Sequence, residues 1–443
     1  MRPFLVSCLG AACTAALALP LAPAAAHPAE SASGPGAVRA GDLPGATQSL
    51  PLENLAPGTP TQDARDLTPQ RVPAVRGLAP RTVRPFSLLG IVWDDAAAAL
   101  RGRIQVRTRA RGSGLWSGWQ DLQNTGDDAP DLGAGEGRGN AARGSTAPLW
   151  VGASDAVRLR LTLTDPHRAA TALPHGLRLE LVDPGPDTPA VRGGPPSSAA
   201  ATASSAANAP LAPLGATEIP AADQATAQAD VTAAGGQATG PVHIGARPRI
   251  VTRAGWGADE SLREARFVYT HAVRAAFVHH SATGNNYTCA EAPSVIRGLY
   301  RYHVESSHWR DIGYNFLIDK CGTVYEGRAG GVAKPVLGAH TLGFNNDSTG
   351  IALLGSFGRT APPRPAVEAL GRLTAWKLGL QGADPRGRTA MTSTGGNLYH
   401  KGRVVRQHVI SGHRDGFKTE CPGALLYADL PAIRQVAAHL QGR

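Results

Sequence analysis

The sequence predicts an α/β (α+β) domain over residues 248–443, preceded by a small all-β sandwich over 84–182. Three observations carry that reading. The 23 aromatic residues fall in three places: Phe4, five between 84 and 182, and seventeen between 248 and 443. Apolar and polar residues alternate with a period of two in the first block, the pattern of strands with one buried face. In the second block short apolar runs are interleaved with stretches of helical periodicity. A chain of 443 residues also exceeds the ~250–300 at which single cores stop growing. Segments 27–83 and 183–247 contain no aromatic residue. They are expected to be disordered linkers, the second rich in Ala, Pro, Ser and Gly, because they lack the apolar mass to offset the entropy of ordering. With 18% charged residues and five Cys, the composition excludes a disulfide-dense miniprotein, a coiled coil and a polytopic membrane protein.

Taken in order, the N-terminus opens Met1-Arg2-Pro3, runs apolar from Phe4 to about Leu21, and reaches Ala24-Ala25-Ala26 before His27. A positive start, an apolar core and a small-x-small site predict a secretory signal peptide over 1–26. The alternative, a retained anchor, lacks a flank of basic residues. Cleavage after Ala26 removes Cys8 and Cys13 and leaves Cys289, Cys321 and Cys421, an odd count for an oxidising compartment. The formal net charge of +10 is 44 Lys and Arg against 34 Asp and Glu, and only five of the 44 are Lys. The Arg residues are scattered, which fits the output of a GC-rich genome better than a nucleic-acid footprint. No nucleic acid and, after cleavage, no membrane partner is expected.

In 84–182, Ile104-Gln105-Val106-Arg107-Thr108, Val157 to Leu163 and Leu177 to Leu181 alternate and predict strands. Phe86 to Trp93 and Pro148 to Gly152 supply two more, separated by Gly- and Asp-rich turns. Trp116 and Trp119, in Gly-Leu-Trp-Ser-Gly-Trp, read as core or hairpin packing in preference to a sugar-stacking surface. The glycine-rich stretch Ala134 to Gly144 lacks the strand, helix and Lys of a phosphate loop and reads as a plain loop. No catalytic constellation falls in this block.

The second block holds ten of the fourteen His and all three Cys that survive processing. Ala275-Ala276-Phe277-Val278-His279-His280-Ser281 is an apolar run ending in two imidazoles. It predicts a buried strand that delivers a side chain at its C-terminal end, where α/β sheets form their ligand crevice. A helix follows, with Pro293 in its first turn and Val295, Ile296, Leu299 and His303 along one face. Gly313 to Ile318 predicts a strand, Lys320-Cys321-Gly322-Thr323 a turn, Val324-Tyr325 a returning strand, and Gly350 to Gly355 a central strand. Pro365 opens a helix through Trp376, Asp384 to Gln407 predicts a hairpin or flap, and a last helix runs near Asp429 to Leu440.

The chemistry concentrates between Ile410 and Pro422. His413 and Cys421 stand on what Gly412, Gly416 and Pro422 mark as a loop. Imidazole and thiolate are both zinc ligands, and three protein ligands with one open position make a catalytic site. If Cys289 and Cys321 pair, Cys421 is left for a metal and the odd count closes. The alternative for Cys421 is an inert buried thiol.

Five blocks occur in order: Phe277-Val278-His279-His280-Ser281-Ala282-Thr283, Trp309-Arg310-Asp311-Ile312-Gly313-Tyr314-Asn315-Phe316, Gly322-Thr323-Val324-Tyr325-Glu326-Gly327-Arg328, Gly338-Ala339-His340-Thr341, and Gly412-His413-Arg414-Asp415 through Cys421-Pro422. Together they resemble the signature blocks of type-2 N-acetylmuramoyl-L-alanine amidases, shared with peptidoglycan recognition proteins and amidase-type phage lysozymes, over essentially all of 248–443. The resemblance implies a central mixed sheet flanked by helices, with a zinc site at one edge of a peptidoglycan-binding groove. Position by position it implies His279, His413 and Cys421 as ligands of Zn2+, with His280 in a supporting or packing place. Tyr314 matches a tyrosine that hydrogen-bonds near the metal and the substrate carbonyl. Thr419 matches a position held by Lys in phage enzymes and by Thr in catalytic recognition proteins. His340 and Asn345 match groove positions that hold the muramyl peptide.

The implied reaction is hydrolysis of the amide joining the lactyl group of N-acetylmuramic acid to L-alanine of the stem peptide, by a secreted, cell-wall-associated enzyme. The alternative is a non-catalytic module that binds peptidoglycan, a class that has generally lost the Cys ligand retained here. Some related amidases place a Glu in the central strand as general base. This chain has Ala352 there, so Tyr314 and Thr419 suffice or Glu326 contributes. Ala329-Gly330-Gly331 stands where recognition proteins usually carry an aromatic residue. A Cys289–Cys321 disulfide is a separate expectation, clipping the start of the helix after the His279 strand to the turn after the Tyr314 strand. It would close a loop of about 33 residues and contribute ~3–4 kcal/mol.

Overall fold

The computed structural model describes residues 45–54, 76–124, 129–131, 142–163, 173–186, 196–233 and 243–443. The expected signal peptide at 1–26 lies outside them, as does most of the loop from Ala134 to Gly144. Among the described residues no helix is long and apolar enough to cross a membrane.

The first domain is all β. Its strands are β1 (Ala46–Pro51), β2 (Glu53–Asn54), β3 (Arg76–Trp93), β4 (Gly102–Ala110), β5 (Gln120–Leu122), β6 (Gly144–Ser145), β7 (Leu149–Leu163) and β8 (Arg178–Asp183). They run β1-β8-β3-β7-β4-β5, with β2 and β6 also on β3. Leu179 and Leu181 near one end of that order share a core with Ile104, Val106 and Leu122 at the other, so the sheet wraps over itself as a sandwich. The alternation is as expected: Leu159, Leu161 and Leu163 of β7 are buried, while Arg158, Arg160 and Thr162 between them are only partly covered.

The boundary differs from the expected one. β1, β2 and the first half of β3 lie in the stretch 27–83 expected to be a linker. Leu50, Leu52 and Leu78 reach the sandwich core, and β1 pairs with β8 from Ala46↔Asp183 to Pro51↔Arg178. Aliphatic residues supply the anchoring that the aromatic count overlooked. β3 is one 18-residue strand whose pairing with β7 shifts register between Leu78 and Arg81 and between Thr82 and Phe86. Pro80 and Pro85 fall inside those two irregularities, where a missing N–H costs no ladder bond.

The expected linker 183–247 likewise contains α1 (Ala199–Ala206), β9 (Glu218–Ile219) and α2 (Gln224–Ala233). The Ser198 hydroxyl caps α1 by accepting from Ala201 N–H. Ala212, Ile219 and Ala227 are buried in the core of the second domain, and Ile219 pairs with Ile250. Alanine-rich sequence here forms helix and lies against an existing core.

The second domain continues with β10 (Ile250–Val251), α3 (Arg253–Trp256), β11 (Ala275–His280), α4 (Ala292–Arg301), β12 (Phe316–Ile318), β13 (Val324–Glu326), β14 (Ser348–Leu353), α5 (Arg364–Gly379), β15 (Arg388–Thr392), β16 (Val404–His408), β17 (Ile410–Gly412), α6 (His413–Gly416) and α7 (Ala424–Leu440). Its sheet runs β17-β11-β14-β12-β13-β10-β9. The four strands from β17 to β12 are mutually parallel, whereas β12 pairs antiparallel with β13. Every residue of β11 and β14 is buried, as parallel strands covered on both faces require. Leu370, Leu373 and Trp376 of α5 and Ile433 of α7 pack with Val278 and Ile351 on one face. On the other, Val295, Ile296 and Leu299 of α4 meet Leu317 and Ala352, and with them Leu88, Val92 and Val182 of the sandwich. The expected insertion is the hairpin β15–β16. Cys289, just ahead of α4, and Cys321, between β12 and β13, are joined as a disulfide with Cα atoms 6.2 Å apart.

Candidate metal centre

β11 and β17 are parallel neighbours with Val278 opposite Gly412. A histidine follows each of these two residues, His279 still within β11 and His413 just past β17, so both lie at the same end of the sheet. Their ring centroids are 4.4 Å apart. His413 was expected on a loop; it opens α6 instead. The Asp415 carboxylate closes that turn by accepting from Gly412 N–H at 2.9 Å and from the Tyr427 hydroxyl at 2.6 Å.

The chain then returns through Phe417 to Cys421. There the Thr419 hydroxyl accepts from Cys421 N–H at 2.9 Å, and Cys421 C=O accepts from Arg414 N–H at 3.1 Å. Cys421 Sγ accepts from His280 N–H at 3.4 Å and lies 3.7 Å from His279 Nδ1. One ligand atom from each of His279, His413 and Cys421 falls within 4.8 Å of the others. A tetrahedral zinc ion places its sulfur and nitrogen ligands about 3.6 Å apart. The donor set therefore fits zinc in both chemistry and spacing. Both histidines are fully buried, and Cys421 is 5% exposed. Burial, with His280 alongside, pushes the His279 imidazole down to about 3, which keeps it in the neutral, ligating form. Among the described cysteines, Cys421 is the one outside the disulfide.

His280 faces away, accepting from Phe357 N–H at Nδ1. Tyr314 is brought to the cluster, its ring 5.4 Å from that of His279, and is 1% exposed. Thr419, two residues before Cys421, is half-buried, its hydroxyl engaged on the Cys421 turn. His340 and Asn345, expected to face a groove, are buried. His340 stands edge-on to His279 at 5.2 Å, packed where a Cβ on Gly350 would come within 2.3 Å of its ring. Asn345 Oδ1 accepts from the N–H groups of His340 at 2.7 Å and Thr341 at 2.9 Å, which braces the loop behind His279.

Glu326 is not brought to the cluster. β14 and β12 separate its strand from β11, and its carboxylate accepts from Asn208 Nδ2 at 2.9 and 3.0 Å and from Arg253 N–H at 3.3 Å. Burial pushes it up to about 7. Ala352 is the direct cross-strand neighbour of His279, so no carboxylate approaches the cluster from that strand. Two supporting residues escaped the sequence reading. Thr341 Oγ1 lies 3.4 Å from His279 Nε2, and Asp131, in the first domain, accepts from Gly343 N–H and Asn345 Nδ2 at 2.7 and 3.0 Å. Thr341 stood inside a quoted block. Nothing local marks Asp131, whose partners lie more than 200 positions away.

The family described as N-acetylmuramoyl-L-alanine amidase matches residues 269–424, and that described as Rv3811 N-terminal galactose-binding domain-like matches residues 37–191. Peptidoglycan-recognition protein SA of Drosophila melanogaster is 34% identical over 183 residues, covering 41% of this chain and 77% of the relative. Peptidoglycan-recognition protein SC2 of Drosophila simulans is 29% identical over 181 residues, covering 41% of this chain and 84% of the relative. Among solved structures, Drosophila PGRP-LB aligns over 41% of this chain and 92% of that one, at 26% identity and a TM-score of 0.33.

Proposed function

This chain belongs to the family of N-acetylmuramoyl-L-alanine amidases and peptidoglycan recognition proteins, and from that premise we propose that it is a secreted zinc-dependent amidase acting on peptidoglycan. The bond cleaved is the amide between the lactyl group of N-acetylmuramic acid and L-alanine of the stem peptide. The convergence of His279, His413 and Cys421 within 4.8 Å is the observation that carries this reading. These three residues would hold the ion. The chemistry that zinc supplies when bound is Lewis acidity toward a carbonyl and acidification of water toward a pKa of ~7.

The protein's own part is arrangement. β11 and β17 fix the two imidazoles side by side, and the Thr419-capped turn brings the thiolate to them. Tyr314, against the His279 ring, is the donor for negative charge developing on the substrate carbonyl oxygen, with Thr419 as the second. A donor of that kind is typically worth ~3–4 kcal/mol.

A dye-release assay on purified cell walls, with and without chelator, tests the proposal. Wild-type protein is expected to release dye and to lose the activity with chelator, and Cys421→Ala to fall below about 1% of wild type, the rate scale of a lost activating metal. Purified protein with zinc content near zero, or full cleavage by Cys421→Ala, overturns it. Wall binding without cleavage would instead establish a recognition module.

A further inference from the structure

His279 presents Nδ1 toward Cys421 Sγ at 3.7 Å and Nε2 toward Thr341 Oγ1 at 3.4 Å. With Nδ1 as the ligating atom, the ring proton must sit on Nε2, and Thr341 accepts it. The Thr341 hydroxyl in turn lies 3.0 Å from His340 Nδ1. Thr341 is held in place from its backbone: its N–H and that of His340 both donate to Asn345 Oδ1. The Asn345 amide is fixed from the other domain, donating to Ala129 C=O at 3.1 Å and to Asp131 Oδ1 at 3.0 Å. Asp131 Oδ1 also accepts from Gly343 N–H at 2.7 Å. Thr341 is fully buried, Asn345 is 1% exposed and Asp131 is 9% exposed, so water competes weakly for these bonds.

We infer that Thr341 is a positioning residue for the metal ligand His279, and that Asp131 of the sandwich positions it through Asn345, making the first domain a structural part of the metal centre. The physical reason is that a ligating imidazole needs its far nitrogen held to fix tautomer and ring orientation; loss of such a partner typically costs 10–100-fold in metal affinity. The inference rests on the zinc reading above and goes beyond it by assigning a role to the sandwich.

The test is the zinc dissociation constant of the full chain, measured by competition with a chromophoric chelator, alongside the melting temperature of the metal-free protein. Thr341→Val keeps the shape and removes the acceptor; it is expected to weaken zinc binding at least about 10-fold. Thr341→Ser restores the hydroxyl and is expected within about threefold of wild type. Asp131→Ala is expected to weaken binding about 10-fold, and Asp131→Asn, which retains an acceptor oxygen for Gly343 and Asn345, to recover most of it. Matched metal-free melting temperatures for Thr341→Val and Thr341→Ser separate positioning from loss of fold; if Thr341→Val does not fold, the Asp131 pair decides alone. A wild type that binds zinc while Thr341→Val or Asp131→Ala binds it within twofold overturns this inference and leaves the amidase proposal standing. A wild type that binds no zinc overturns both.

Discussion

Glu326 sits in a proton balance of its own. Its carboxyl is drawn up to about 7 by burial, against the opposing pull of the Asn208 amide and the Arg253 guanidinium. Between about 4.5, where a free Glu titrates, and about 7, the folded state holds a proton that the unfolded state has released. Stability from this group is therefore fully present below that window and is lost as pH rises through it, up to about 3 kcal/mol in all. Glu326→Gln keeps one acceptor for Asn208 and cannot titrate. Its melting temperature relative to wild type should rise between pH 5 and pH 8, and a pH-independent difference would place the proton elsewhere. The convergence of His279, His413 and Cys421 could be anticipated because the blocks that carry them occur in order and resemble a known family. The contribution of Thr341 could not, because it depends on which way the far nitrogen of His279 points.

At the scale of elements, the disulfide ties the start of α4 to the turn between β12 and β13 across 32 positions. Replacing both cysteines by Ser should lower unfolding free energy by ~3–4 kcal/mol in the chain-entropy model, read as an earlier denaturant midpoint. The zinc content should not change, since Cys421 takes no part in the bridge. Strands that alternate in sequence, such as β4 and the second half of β7, were legible from that pattern. β1 was not, because a short stretch anchored by Leu50 gains meaning only when paired with β8. β3 was expected to start at Phe86 but runs from Arg76, its register shifts absorbing Pro80 and Pro85. α7 begins at Ala424, a turn ahead of the expected start, because Leu426 joins Leu430, Ile433 and Ala437 in the buried stripe and Pro431 is accommodated inside the helix.

Across the whole molecule the sandwich and the second domain share a core. Leu88, Val92 and Val182 pack against Val295, Ile296 and Leu299, and the Tyr302 hydroxyl donates toward Ile91 C=O and Thr146 C=O, both at 3.1 Å. Thr47 bonds Glu305, and Ser306 bonds Glu180. No pattern within either domain announces these pairings, since each half of the seam is only an apolar face until the other arrives. Heat should unfold the two domains in one calorimetric transition with matching van't Hoff and calorimetric enthalpies. Val92→Asp, which buries a charge in the seam, should split the trace into two. Tyr302→Phe takes the hydroxyl from Thr146 C=O, while Ile91 C=O keeps the Thr146 N–H, and should cost about 1–3 kcal/mol. The near-complete burial of Cys421 has a kinetic corollary. A maleimide can reach that sulfur only while its surroundings are momentarily apart, so the labelling rate at Cys421 becomes a clock for how often the protein breathes, and loading with metal should stop it.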